Sequence, residues 1–113
     1  MKARTNEYLR DILDSAEIMG RMVEGLTYET FLTHDLAKDA VHYRIVVIGE
    51  ACRRIRDENE ELVDHYPALE KWTRMRNILA HDYGNVMEDI VWQAATRDRL
   101  ALIQLVQQLL NAG

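Results

Sequence analysis

Four residues with side chains suited to act on a phosphodiester stand together near the middle of the second half of the chain. Arg76, His81 and Tyr83 have the spacing Arg-x4-His-x-Tyr, and Asn77 directly follows the arginine. An arginine keeps its charge and can grip a phosphate, whereas histidine side chains titrate near neutrality and can move protons. RNA carries its own nucleophile, the ribose 2′-hydroxyl, so proton transfer and charge stabilisation are enough to cleave it.

The residue types suggest a division of roles. We expect His81 to act as general base or acid and Arg76 to bind the phosphate and offset developing charge. Asn77 can donate to a phosphate oxygen or orient a side chain. None of the four histidines pairs with acidic residues at convincing ligand spacing, so no metal and no cofactor are expected. By themselves, an arginine and a histidine near a helix end are more often surface or capping residues, and Tyr83 alone is more often a partly buried aromatic.

The elements around this stretch are predicted to be helices. Arg76 and His81 are five residues apart, about 140° around an ideal helix, so they would not share a face. We therefore expect the helix to end or loosen near His81, with Asp82 and Gly84 helping the chain to turn. The two side chains could then converge on one anion across a cleft.

The N-terminal half predicts two long helices joined by a hook. Apolar residues at three- and four-residue spacing predict a helix over 5–24, capped by Thr5 or Asn6 and ended by Gly25. A short turn or helical hook is expected over 27–32, and a second long helix over 36–57, capped by Asp35.

Three features of the second long helix constrain its surroundings. Its centre, 43–52, is apolar nearly all round, so more than one neighbour must cover it. Gly49 costs roughly 1 kcal/mol against alanine within a helix, which suggests a close helix crossing. Glu50 must face solvent or find a donor.

The C-terminal half predicts a short acidic helix over 58–65, a helix over 67–81 that starts at Pro67, and a last helix over 87–111. Short connections between the main helices give an antiparallel bundle of four to five helices. The sequence therefore predicts an all-α fold in a single domain, 1–113. Such small bundles often leave an apolar face for a partner, so a dimer is expected.

Composition and charge limit the possible functions. Cys52 is the only cysteine, which excludes an intramolecular disulfide and a cysteine-rich zinc site, and we expect it to be a buried small hydrophobe. The start of the chain lacks an apolar signal-peptide core, and the longest aliphatic run, Ile45 to Ile48, is too short to cross a bilayer. We therefore expect a cytoplasmic protein with no membrane partner.

The net charge of −5 argues against non-specific coating of nucleic acid. It leaves room for an RNA-cutting site. Salt screens charges that are more than a Debye length of about 10 Å apart, so a local basic cluster can outweigh an acidic surface farther away. Two segments supply such a cluster, namely Arg53, Arg54 and Arg56 in one and Lys71, Arg74 and Arg76 in the other.

The stretch from Trp72 to Tyr83 resembles the signature of HEPN domains, and more narrowly of HepT-like toxins paired with a small MNT nucleotidyltransferase antitoxin. The likeness covers nearly the whole chain. Tyr8 to Leu13 resembles the family's opening helix, and Phe31 its hook. The second helix is similar over Ile48-Gly49-Glu50-Ala51, and Val91-Trp92 fits the start of the last helix.

This resemblance implies a homodimeric bundle with Arg76 and His81 lining a cleft at the dimer interface. It also implies a metal-independent endoribonuclease toxin of a type VII toxin-antitoxin system, acting on tRNA or mRNA. Asn77 takes the polar position of the motif in a supporting role. Tyr83 matches the tyrosine that accepts AMP from the MNT partner, and a larger hetero-oligomer with that antitoxin is expected.

Two other readings of the motif remain open at this point. In one, the chain is a non-catalytic helical subunit that binds a nucleotide or serves an associated nucleotidyltransferase. In the other, the bundle is purely structural, and Arg76 merely pairs with an acidic residue such as Asp82 or Glu50.

Overall fold

The computed structural model describes residues 3–81 and 87–112, and all regular structure in these two ranges is helical. This confirms the predicted all-α fold. The elements are α1 (Ala3–Val23), α2 (Tyr28–Leu32), α3 (Asp35–Glu58), α4 (Glu60–His65), α5 (Pro67–His81), α6 (Glu88–Gln93), a π-helical segment (Ala94–Asp98) and α7 (Arg99–Ala112).

Helix α3 is the central element, and α1 packs along one side of it in the opposite direction. The start of α1 meets the end of α3, where the backbone N–H and the hydroxyl of Thr5 donate to Oε1 of Glu58 at 3.1 and 2.9 Å. Halfway along, Nη1 of Arg44 donates to Oγ of Ser15 at 3.4 Å. These paired positions run in opposite order along the two helices, so α1 and α3 are antiparallel.

Helix α5 packs against another side of α3 and is also antiparallel to it. Arg56 near the end of α3 pairs with Glu70 near the start of α5, with Nη1 and Oε2 3.0 Å apart. Glu50, earlier in α3, pairs with Arg76, later in α5. The predicted antiparallel bundle is therefore observed, and α7 completes it by packing against α1.

Apolar side chains from all the long helices form one core. Cys52 lies within it at 1% exposure, as expected, and burial raises the pKa of its thiol to about 12. The hook and the last helical run join this core, because the rings of Phe31 and Trp92 are 5.1 Å apart. The largest fully buried side chains are Trp72, Phe31, Leu9, Ile12, Met19, Ile45, Ile48, Ile55, Leu69, Leu102, Val41 and Val63. Within the described residues, no helix is both long and apolar enough to cross a membrane.

The predicted helix caps are wrong for α1 and α3. Helix α1 already includes Thr5 and Asn6, and the carboxylate of Glu58 takes the role of a capping acceptor for Thr5. Helix α3 begins at Asp35 because His34 caps it, with Nδ1 of His34 accepting from the backbone N–H of Ala37 at 3.1 Å. Both acceptors are side chains outside the usual capping types, so capping preference could not identify them.

The last helix is not the single α-helix that the sequence predicts over 87–111, because a π-helical segment interrupts it. The side chain of Arg99 explains the interruption. Its Nε donates to the carbonyl oxygen of Ala95 at 2.7 Å, the acceptor that its own backbone N–H would use in an α-helix. That N–H bonds instead to the carbonyl of Ala94, one residue further back, which is the π pattern.

Candidate active site

Arg76 lies where α5 crosses α3 at very close range. A Cβ atom added to Gly49 would overlap the Cβ of Arg76 and come within 2.7 Å of the carbonyl oxygen of Trp72. Only glycine leaves room for this approach. The close crossing predicted from Gly49 is therefore confirmed, and it fixes the base of the Arg76 side chain against α3.

Two polar contacts hold the far end of Arg76. Its Nη2 lies 3.5 Å from Oε2 of Glu50, and its Nη1 donates to Oδ1 of Asn77 at 3.0 Å. The side chain is 25% exposed, so the guanidinium group stays accessible from one side. Asn77 is thus in contact with Arg76, and the supporting role expected for it stays a prediction.

Glu50 finds donors, as expected of a carboxylate in the middle of an apolar helix. Arg53 binds it through two N–H groups at 2.7 and 3.2 Å, and Nε of Arg54 donates to it at 3.3 Å. The hydrogen bonds from Arg53 and then Arg54, with the charges of Arg53 and Arg76, outweigh partial burial and lower the pKa of Glu50 to about 2. The carboxylate is therefore ionised at any working pH.

The predicted basic cluster does not form one continuous patch. Arg53, Arg54 and Arg76 gather around Glu50, whereas Arg56 turns toward Glu60, Asp64 and Glu70. Lys71 pairs with Asp98 of the π-helical segment at 3.2 Å. Positive charge is thus concentrated beside Arg76 rather than spread along α5.

His81 is the last residue of α5 and its side chain is exposed. The described part of α5 extends to His81, and it includes both Arg76 and His81 without loosening between them. Ideal helical geometry then separates the two residues by about 140° and about 7.5 Å along the axis. Tyr83, and with it Asp82 and Gly84, lies outside the described residues, so the roles expected of these three stay predictions.

The sequence pattern places Arg53 and Arg54 in a basic cluster but assigns no functional role to Glu50, and it does not predict that the two arginines bind this carboxylate. Their spacing carried a signal, because glutamate followed by arginines three and four residues later places all three on one helix face. The contact between Arg76 and Glu50 is the one that the purely structural reading anticipated. It leaves the accessible side of the guanidinium group open to a ligand.

Comparison with known proteins supplies the family. A family model described as ribonuclease HepT-like matches residues 12–109, which includes α3, α5 and every residue of the predicted motif. The chain belongs to this family. It is an endoribonuclease of the HEPN type, in agreement with the resemblance noted in its sequence.

Curated relatives support the assignment. The chain is 30% identical over 98 residues to a protein of Thermococcus cleftensis named "Probable ribonuclease HepT", covering 87% of this chain and 88% of that one. It is 28% identical over 104 residues to a protein of Caldanaerobacter subterraneus named "Putative RNase", covering 92% of each.

A longer relative contains the same kind of domain. The chain is 33% identical over 98 residues to a "Gamma-glutamylcyclotransferase and putative RNase" of Methanocaldococcus jannaschii. The match covers 87% of this chain and only 44% of that protein. No solved structure matches the chain.

Proposed function

We propose that this HepT-like protein is the toxin of a type VII toxin-antitoxin pair and that it cleaves tRNA or mRNA. The proposed site is a cleft between two copies of the chain, with Arg76 and His81 as its catalytic residues. One observation carries the proposal. Helix α5 presents a fixed, partly exposed guanidinium at Arg76 and an exposed imidazole at His81 in its last turn.

The proposed reaction needs only groups that this chain and its substrate supply. The ribose 2′-hydroxyl attacks the adjacent phosphorus, the bond from phosphorus to the 5′-oxygen breaks, and the products are a 2′,3′-cyclic phosphate and a 5′-hydroxyl. His81 acts as the general base that takes the proton from the attacking hydroxyl, or as the general acid that returns a proton to the leaving oxygen. Arg76 binds the phosphate and stabilises its developing charge, and the NH₂ group of Asn77 donates to a phosphate oxygen.

Exposed apolar side chains support the dimeric arrangement of this proposal. Leu36 and Tyr43 on α3 are 80% and 60% exposed, and Met87 and Ile90 at the start of the last helical run are also exposed. Leu36, Tyr43 and Glu50 are spaced by seven residues, so they share one stripe along α3. This apolar stripe leads directly to the carboxylate that contacts Arg76, which is where an interface cleft would have to form.

Neutralisation is proposed to occur by transfer of AMP to Tyr83 from an MNT nucleotidyltransferase antitoxin that assembles with the toxin. Tyr83 is two residues from His81 in the sequence. An added phosphodiester there would bring negative charge to the place where the RNA phosphate binds. Two unit charges 4 Å apart repel by roughly 4 kcal/mol at an effective dielectric constant of 20, enough to suppress RNA binding.

Alanine variants of the two catalytic residues test the nuclease. Because His81 is exposed, H81A should keep the stability of the wild type within about 0.5 kcal/mol and still lose RNA cleavage. R76A should lose cleavage as well, and both variants should relieve growth arrest in cells. Gln93→Ala, at an exposed position away from α5, is the control and should cleave like the wild type. Wild-type protein that leaves RNA intact, with alanine variants that remain equally toxic, would refute the nuclease.

Mass spectrometry tests the neutralisation step. Co-expression with an MNT nucleotidyltransferase encoded beside the toxin should add the mass of one or more AMP groups, mapping to Tyr83. Tyr83→Phe should keep RNA cleavage and stay unmodified, so it should remain toxic in the presence of the antitoxin. An unchanged mass, or adducts that map to another residue, would contradict this part of the proposal without affecting the nuclease.

A further inference from the structure

One carboxylate at the crossing of α3 and α5 contacts three arginines. Glu50 accepts from Arg53 at 2.7 and 3.2 Å, accepts from Arg54 at 3.3 Å, and lies 3.5 Å from Nη2 of Arg76. Two of these arginines belong to α3 and the third to α5. Glu50 therefore joins charged groups of the two helices at this crossing.

The contact with Arg76 differs from the other two. Arg53 and Arg54 hydrogen-bond to the carboxylate and fix its orientation, whereas Arg76 pairs with it at a longer distance. A guanidinium group has five N–H donors, and a long arginine side chain can adopt many rotamers. The pairing with Glu50 thus restricts the side chain while it leaves donors available for a phosphate.

The other contacts of Arg76 complete this restriction. Gly49 allows the backbone of α3 to press against the first carbons of the side chain, and Asn77 accepts from Nη1. Glu50 is the group that acts on Nη2 from the neighbouring helix. Removal of its charge would leave Arg76 beside two like charges and free to change rotamer.

We propose that Glu50 is a positioning residue, which holds the Arg76 guanidinium in the orientation that binds the phosphate to be cleaved; this inference rests on the proposed nuclease function. Glu50 itself does not contact the RNA phosphate, because the two anions repel. Its loss would therefore affect the chemical step through Arg76. Binding of RNA would not weaken, since the neighbourhood gains one unit of positive charge.

The kinetics of Glu50→Gln on a short labelled RNA test the proposal. A misplaced catalytic group can cost about 100-fold in rate, so we expect kcat to fall at least about 10-fold while KM stays unchanged or falls. Glu50→Asp keeps the charge on a shorter side chain and should recover part of kcat. A Glu50→Gln variant with kcat within about twofold of the wild type, or with raised KM and unchanged kcat, would overturn the positioning role.

Glu70→Gln is the matched control. It also removes an ion pair between α3 and α5, that of Arg56 and Glu70 at 3.0 Å, but six residues before Arg76. We expect its kcat to equal that of the wild type. An equal loss of kcat in both variants would show that any loosening of the helix pair slows cleavage, and the specific role of Glu50 would be refuted.

The outcomes separate this inference from the proposed function. Wild-type protein that leaves RNA intact overturns the nuclease function, and the role of Glu50 in cleavage with it. Wild-type protein that cleaves RNA with the same kcat as Glu50→Gln overturns the role of Glu50 alone. Side-chain nitrogen NMR gives a readout independent of activity, because rotation of the Arg76 guanidinium should speed up in Glu50→Gln and not in Glu70→Gln.

Discussion

At the scale of single residues, the site depends on how one arginine is held. The sequence points to Arg76 through its type, its spacing and the family resemblance, but its contacts with Glu50 and Asn77 decide what its charge can do. The pair is partly exposed, and solvent screening keeps the net gain of such pairs small. The main consequence of the ion pair is therefore orientation of the guanidinium group, with a modest contribution to stability.

The stability of the protein should depend on the ionisation of Glu50. Its pKa falls from 4.5 to about 2 on folding, so its contribution is complete above about pH 4.5 and is lost as the pH falls toward 2. At pH 7, Glu50→Gln should be less stable by about 1–2 kcal/mol, a shift discounted for partial exposure.

Urea unfolding at a series of pH values measures this effect. The difference between wild type and Glu50→Gln should shrink steadily below about pH 4.5, because protonation removes the same charge from the wild type. Glu61→Gln, at an exposed position on α4, should match the wild type within about 0.5 kcal/mol throughout. A difference that stays constant down to pH 2 would show that the charge of Glu50 is not what stabilises the fold.

At the scale of elements, the crossing of α3 and α5 places Arg76, and one glycine allows that crossing. An alanine at position 49 would have to displace the Cβ of Arg76 and a backbone carbonyl of α5. Overpacking of this kind costs about 1–3 kcal/mol, so Gly49→Ala should be destabilised by that amount and should also cleave RNA more slowly.

Gly20→Ala is the matched control for this prediction, because it places the same methyl group in another long helix. There the added Cβ would meet the guanidinium of Arg99, the end of a flexible side chain that can move aside. Its stability should change little, since alanine also gains about 1 kcal/mol of helix propensity over glycine. Thermal unfolding of both variants makes the comparison; equal loss of stability in the two would argue against a special crossing at Gly49.

The sequence predicted most of the elements and could not predict some of their details. Apolar spacing and Pro67 located the long helices to within a few residues, because the buried face of a helix must repeat with its period. The π-helical segment could not be foreseen, since it depends on Arg99 reaching a carbonyl of its own helix beside Gly20. The division of the basic cluster likewise depends on which acidic residues the fold brings near Arg56 and Lys71.

At the scale of the whole molecule, the continuity of α5 bears on how Arg76 and His81 can work together. Both belong to one helix, and about 140° separates them around its axis. Arg76 faces α3, whereas His81 is exposed at the helix end. A second copy of the chain could bring its own His81 to the Arg76 of the first, and symmetry would then create two equivalent composite sites.

Mixed dimers test this arrangement. Arg76→Ala and His81→Ala, each inactive alone, should form mixed dimers in which one site retains both an arginine and a histidine. Dimers purified through two different tags should recover about half of the wild-type activity, the share of one of two equivalent sites. If mixed dimers stay as inactive as their parents, Arg76 and His81 act within one chain.

Substitutions in the exposed apolar stripe on α3 test whether cleavage requires the dimer. Leu36→Glu combined with Tyr43→Glu would place charges in the proposed apolar interface. Analytical ultracentrifugation should show monomers in place of dimers, and RNA cleavage should be lost. Leu100→Glu, at a position on α7 that is 52% exposed, should leave both the dimer and its activity intact. Because a composite site requires two chains, the activity regained by mixing Arg76→Ala and His81→Ala chains should be lost when both chains also carry the two glutamate substitutions. RNA cleavage that persists in the monomer would contradict the interface cleft.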